Sequence, residues 1–143
     1  MSTGQLDTAR VQRYLTRIRE QEASPLPYIL QYDVEAGNLR PWLWPENEAG
    51  VRVMPTDLPS FRAEGFRQPC CLCSVPGLDG IGIGYKESAV YMSIDTDDYG
   101  EYLMACRDRK CGYEVRMERA YIMPGLPTKR FRHAQSRPQN LSR

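Results

Sequence analysis

The stretch PCCLCS, residues 69–74, places three cysteines, Cys70, Cys71 and Cys73, within four positions. The other two, Cys106 and Cys111, stand in ACRDRKCGY, residues 105–113. Core filler, a disulfide set, a nucleophile and a metal site make different demands on such a pattern. The segment between the groups narrows the choice. YKESAVYMSI (85–94) alternates as a strand, DTDDYG (95–100) has turn composition, and EYLMAC (101–106) reads as a returning strand that ends on a cysteine. After Cys111, GYEVRMERAYI alternates Tyr113, Val115 and Met117 against Glu114, Arg116 and Glu118, as a third strand would. Gly112 supplies a sharp turn directly after the last thiol.

Two close pairs bracketing a hairpin suit a metal better than the alternatives. Cys70 and Cys73 form C-x2-C, and Cys106 and Cys111 form C-x4-C. Each spacing lets two thiolates converge from a tight turn, and together they complete the tetrahedral sulfur set that zinc takes in structural sites. Cys71 is then spare. A nucleophilic cysteine lacks a plausible base, because the single histidine, His133, lies in a basic C-terminal stretch. A disulfide framework fits poorly with an odd number of thiols and an intracellular setting. That setting is expected from the polar N-terminus, MSTGQLDTARVQRYLTRIRE, which has no apolar signal stretch; no membrane-spanning run occurs elsewhere. Its arginines leave mitochondrial import as a minor alternative, weakened by Asp7 and Glu20. Cytoplasm or nucleus is the expected location.

The phrase GEYLMACRDRKCGY resembles the second half of a zinc ribbon, in particular the small zinc modules of type I topoisomerases and the GRF-type zinc fingers. The likeness covers about residues 69–122. It implies a three-stranded antiparallel sheet clamped by two cysteine knuckles, and nucleic acid as ligand. GRF-type fingers often open with C-x-C, which would make Cys71 and Cys73 the first pair. The commoner ribbon spacing favours Cys70 with Cys73.

Outside the cysteine module, Asp7 or Thr8 can cap a helix whose apolar stripe is Val11, Leu15 and Ile18, with arginines on the remaining surface. YILQYDVEAGNLRPWLW predicts a hairpin: a strand over 28–34, a turn over 35–38, and a return through Trp42 to Trp44, at an edge because of Pro41. Residues 45–69 have loop composition, with a short strand at 51–54, and read as a linker or irregular cover. Residues 128–143 contain Lys129, Arg130, Arg132, Arg137 and Arg143 without an acid, which predicts a disordered basic tail. The expected organisation is a helix and hairpin over 1–60, a zinc ribbon over 61–127, and the tail over 128–143. The fold class is α+β and rich in β structure.

Two further motifs fail on inspection. DTDDYGE begins like a calcium loop but has Tyr99 at the fifth position and Cys106 at the twelfth, where a bidentate glutamate is required. GLDGIGIGY lacks the spacing and the following helix of a phosphate-binding loop.

Nineteen basic residues against eighteen acidic ones give a net charge of +1, so a nucleic-acid partner must be argued from local clusters. Arg107, Arg109 and Lys110 between the last two thiols, Arg116 and Arg119 beyond them, and Lys129, Arg130 and Arg132 in the tail are the expected phosphate contacts. Tyrosines 85, 91, 99, 102, 113 and 121 interleave with them and suit single-stranded bases. The acids in the same region oppose this reading. The alternative is a protein-interaction subunit that docks on a larger polymerase, capsid or ribonucleoprotein assembly, anchored by Trp42, Trp44 and the N-terminal helix. Four thiolates leave zinc no open position, so no enzyme and no small-molecule substrate is expected.

Overall fold

The computed structural model describes residues 6–94 and 100–133. Helix α1 spans Thr8–Glu22. Asp7 caps it, its carboxylate accepting from the Arg10 N–H at 3.2 Å. As the spacing predicts, Val11, Leu15 and Ile18 form the buried stripe.

A hairpin follows, β1 (Leu30–Asp33) against β2 (Asn38–Pro41), with Leu30 opposite Pro41 and Asp33 opposite Asn38. The Asp33 carboxylate accepts from the N–H groups of Glu35 and Ala36, and Gly37 takes φ 73° to close the turn. The return strand therefore ends at Pro41. Trp44 instead starts β3 (Trp44–Glu46), which runs parallel to β7 (Thr128–Arg130) in a second two-stranded sheet.

The cysteine region forms a three-stranded antiparallel sheet in the order β4 (Ala89–Met92), β5 (Tyr102–Ala105), β6 (Glu114–Arg116). Val90 faces Met104, and Met104 faces Val115. The turn expected over 95–100 falls mainly on residues 95–99, which lie outside the described residues. The third strand is shorter than its alternation suggests. Backbone at Met117 is already helical, and a one-turn helix, α2 (Glu118–Tyr121), follows.

Residues 45–69, expected as a linker or cover, are packed into the same interior as both flanking segments. Val53, Pro55 and Leu58 are buried, the last two within a 3₁₀ turn over Pro55–Ser60. One continuous cluster of buried residues runs from Val11 through Trp44, Leu58, Cys71 and Val115 to Leu126. The Arg52 guanidinium ties this segment to the chain around α2, donating to the carbonyls of Tyr121 at 2.6 Å and Met123 at 2.7 Å.

The start of the basic segment is ordered, contrary to expectation. Thr128 to Arg130 make β7, and Phe131 is buried against Phe61 and Phe66. An apolar residue after the charges gives this strand something to bury, which composition alone undervalues. The expected tail from residue 134 onward lies outside the described residues. Among the described residues, no helix is long and apolar enough to cross a membrane.

Candidate metal centre

The chain before the first turn runs beside the start of β4. Cys71 N–H donates to Lys86 O at 3.0 Å, and Ser88 N–H donates to Pro69 O at 2.8 Å. In extended backbone, successive side chains point to opposite faces, so Cys70 and Cys71 cannot serve the same site. Cys70 faces away from the other thiols. Its Sγ lies 3.3 Å from Ser74 Oγ and accepts from the Lys86 N–H at 3.4 Å, while its own N–H donates to Gln31 Oε1 at 2.9 Å. Cys71 faces inward, and a 3₁₀ turn over Leu72–Ser74 brings Cys73 beside it.

Cys106 follows β5 directly, held by its N–H to Tyr113 O at 2.9 Å. The chain then reverses through Arg109, the one non-glycine residue with positive φ among the described residues, at 57°. Gly112 at φ 83° completes the knuckle and returns Tyr113 to the sheet. A Cβ at Gly112 would stand 3.2 Å from Leu15 Cδ1, so α1 lies directly over this turn.

The four sulfurs of Cys71, Cys73, Cys106 and Cys111 all lie within 4.8 Å of one another, and all four residues are buried. Cys73 and Cys106 are 3.6 Å apart. A tetrahedral zinc with sulfur at 2.3 Å requires edges of about 3.8 Å, so the spread fits a four-thiolate site without large movement. A disulfide would require about 2.05 Å, and all five cysteines are free. The four cysteines that converge are thus Cys71, Cys73, Cys106 and Cys111, with Cys71 in the place that the C-x2-C spacing gave to Cys70, which matches the C-x-C arrangement.

Electrostatics divide the four thiols. A hydrogen bond from the Cys71 thiol, aided by the backbone N–H groups of Tyr113 and Leu72, pulls Cys111 down to about 5 against the effect of burial. Cys71, as the donor in that pair and also buried, is pushed strongly up. Burial and the neighbouring Cys111 push Cys73 up to about 12. Burial would raise Cys106 too, but the N–H groups of Cys111 and Lys110 outweigh it and leave Cys106 lowered. Such N–H donors are what thiolate ligands require around a metal, because they spread the charge of four sulfurs in a dry interior. Lys86 adds a cation: its Nζ is 3.9 Å from Cys73 Sγ and is ion-paired with Asp108.

The remaining sites are distributed as follows. Arg107, Arg109 and Lys110 are exposed on the second knuckle, and the Arg109 guanidinium stacks 4.8 Å from the centre of the Tyr91 ring. Arg119 is committed elsewhere, donating to Glu22 O at 3.0 Å and Ser24 O at 3.2 Å beyond α1. Arg116 lies beside it, its N–H donating to the Glu22 carboxylate at 2.6 Å. Lys129 and Arg130 belong to the β3–β7 sheet. Lys129 sits 5.1 Å from the Phe131 ring centre, Arg130 is 4.0 Å from Glu46, and Arg132 is exposed just beyond.

Two expected anchors are core residues. Trp42 is 4% exposed and Trp44 0%, and the rings meet edge to face at 5.5 Å. Their indole N–H groups donate to Arg67 O at 3.0 Å and Val53 O at 2.8 Å. Neither indole ring is exposed at the surface. Tyr113 is likewise buried, its hydroxyl donating to Leu30 O at 2.7 Å, so it stacks no base.

Comparison with known proteins supplies no relative: no family model matches the chain, and neither a curated protein nor a solved structure does. The chemistry of the site therefore rests on its own geometry. Four buried cysteines converge on one point and could hold a metal ion.

Proposed function

We propose that the protein is a small binding module built on a structural zinc held by Cys71, Cys73, Cys106 and Cys111, and that the zinc-bearing face binds single-stranded nucleic acid. Four thiolates fill the coordination of zinc, so the metal would fix the knuckles and leave no position for an activated water. One observation carries the ligand reading. Asp108, the only acid in the knuckle loop, is ion-paired with Lys86, and Arg107, Arg109 and Lys110 are exposed and have no ion pair among the described residues. Tyr91, with Arg109 stacked on it, adds an aromatic surface beside that charge.

A salt titration tests this reading. The logarithm of the binding constant for an oligonucleotide should fall linearly with the logarithm of salt, by about 0.7 per phosphate contacted. Replacing Arg107, Arg109 and Lys110 with alanine should flatten the slope. No binding to DNA or RNA at low salt would remove the nucleic-acid reading. The interaction-subunit reading is favoured by a different observation, the aliphatic side chains of Leu78, Ile81 and Ile83, all largely exposed on the loop before β4.

A further inference from the structure

Strand β4 is an edge strand, and only part of its free side is used. Ser93 N–H donates to Glu101 O at 2.7 Å, and Tyr91 faces Leu103 in the same register, so Ala89 and Tyr91 direct their backbone groups toward β5. The alternate residues point the other way. Lys86 and Ser88 do so and are bonded by Cys71 and Pro69. Val90 and Met92 come next in that outward series. By then the covering chain has left the edge: the Gln68 N–H turns to the Glu87 carboxylate at 2.8 Å, and Arg67 O accepts from Trp42. No described residue bonds the outward N–H and C=O of Val90.

The gap is a cleft of about 540 Å³ whose walls include Phe61, Arg62, Phe66, Gln68, Val90 and Arg107. Gln68 is 9% exposed, and its Oε1 is the one buried side-chain oxygen or nitrogen without a hydrogen-bond partner among the described residues. Its Nε2 is satisfied by Leu58 O at 3.0 Å, so an acceptor is left at the cleft wall. The charge there is positive. Two arginines, Arg62 and Arg107, line it against one carboxylate, Glu87, which accepts from the Gln68 N–H; among the described residues Arg107 forms no ion pair, and Arg62 bonds to the carbonyls of Pro59 and Phe61.

We propose that this cleft is a docking site for an extended acidic peptide from a partner protein, which adds as a strand to the open edge of β4. Main-chain bonds to Val90 would continue the ladder that residues 69–71 begin. Apolar side chains would meet Phe61 and Phe66, and carboxylates would meet Arg62 and Arg107. A nucleic acid could neutralise the arginines, but a phosphate chain has no alternating donors and acceptors to match a strand edge. This site shares Arg107 with the proposed nucleic-acid face but not the Val90 edge, so the Val90 signal separates the two.

The test uses the zinc-loaded full chain and a fluorescein-labelled octapeptide of alternating Glu and Val. Fluorescence polarisation should show binding, and the amide signals of Val90 and Met92 should shift in ¹⁵N-correlated NMR spectra. Affinity should fall about tenfold or more with the double variant Arg62→Glu, Arg107→Glu, and with a peptide N-methylated at alternate residues, which leaves the protein untouched. Equal binding by an alternating Lys–Val peptide, full affinity of the N-methylated peptide, or shifts confined to other strands would overturn the proposal. So would displacement by oligo-dT with the same Val90 shift, which assigns the cleft to nucleic acid. Binding that emerges only after removal of residues 134–143 would assign it to the chain's own C-terminal segment, with the same result.

Discussion

Leu15 of α1 reaches to 3.2 Å of the point where a Cβ on Gly112 would stand, so the first helix of the chain covers the last turn of the cysteine cluster. Gly112 also holds φ 83°. Gly112→Ala should therefore cost about 1–2 kcal/mol in backbone strain alone, with added crowding against Leu15. Denaturant unfolding should show the loss, and chelator competition should show weaker zinc retention. An unchanged midpoint would mean that the helix and the knuckle are not coupled.

Serine substitution separates the five thiols. Cys71→Ser, Cys73→Ser, Cys106→Ser and Cys111→Ser should each abolish stoichiometric zinc measured by mass spectrometry of the native protein. Cys70→Ser should retain it, because the Cys70 sulfur is bonded to Ser74 and Lys86 and not to the cluster. The opposite result for Cys70 and Cys71 would restore the C-x2-C pairing.

Metal uptake should release protons. At neutral pH Cys111, lowered to about 5, is already a thiolate, whereas Cys71 and Cys73 carry protons that zinc must displace. Calorimetry in buffers of different ionisation enthalpy should report ~2–3 protons per zinc near pH 7, and affinity should rise with pH. In the metal-free fold the sign follows from Cys111 itself. Its folded value is below the ordinary thiol value, so its contribution to stability is complete above that ordinary value and is lost as pH falls through about 5.

The tryptophans should report on folding and not on a partner. Trp42→Ala should destabilise the protein by about 3–5 kcal/mol, as deletion of a buried ring does. Trp44→Phe keeps most of the volume but strands the Val53 carbonyl, at a cost of about 1–3 kcal/mol. Thermal unfolding measures both. A variant with normal stability and reduced partner binding would return these rings to the surface.

Residues 45–69 should resist limited proteolysis in the zinc-loaded protein. Leu58 is buried, and Arg52 binds the carbonyls of Tyr121, at the end of α2, and Met123, so a protease needs the shared interior to open first. Early cleavage there, with two stable fragments, would show two independent units.

Local signals were legible in the sequence and long-range pairings were not. Val11, Leu15 and Ile18 give α1 because their spacing matches one helix face, and the alternation around Cys106 gives β4, β5 and the start of β6. Gly112 was readable as a turn for the same local reason. The choice between Cys70 and Cys71 depends on which face of an extended segment meets the second knuckle, and spacing counts residues without assigning faces. One clue was available: adjacent residues in a strand diverge, so only one of the two could join Cys73. Trp42 and Trp44 looked like anchors because their cover comes from outside the hairpin, Val53 from the irregular segment after β3, Phe66 from further along it, and Tyr121 from far along the chain. Met117 continues the alternation of β6, yet its carbonyl accepts from Tyr121 and starts a helix.

The parallel pairing of Trp44 with Thr128 joins segments separated by most of the chain. During synthesis every cysteine of the cluster emerges before β7 exists, so the sulfur site can be loaded while the sheet that seals Trp44 is still incomplete. Closing so long a loop is slow, and a metal held by Cys71, Cys73, Cys106 and Cys111 would shorten the free loop between its ends. On the proposed zinc reading, chains made without the metal would close this sheet more slowly and keep their tryptophans wet for longer.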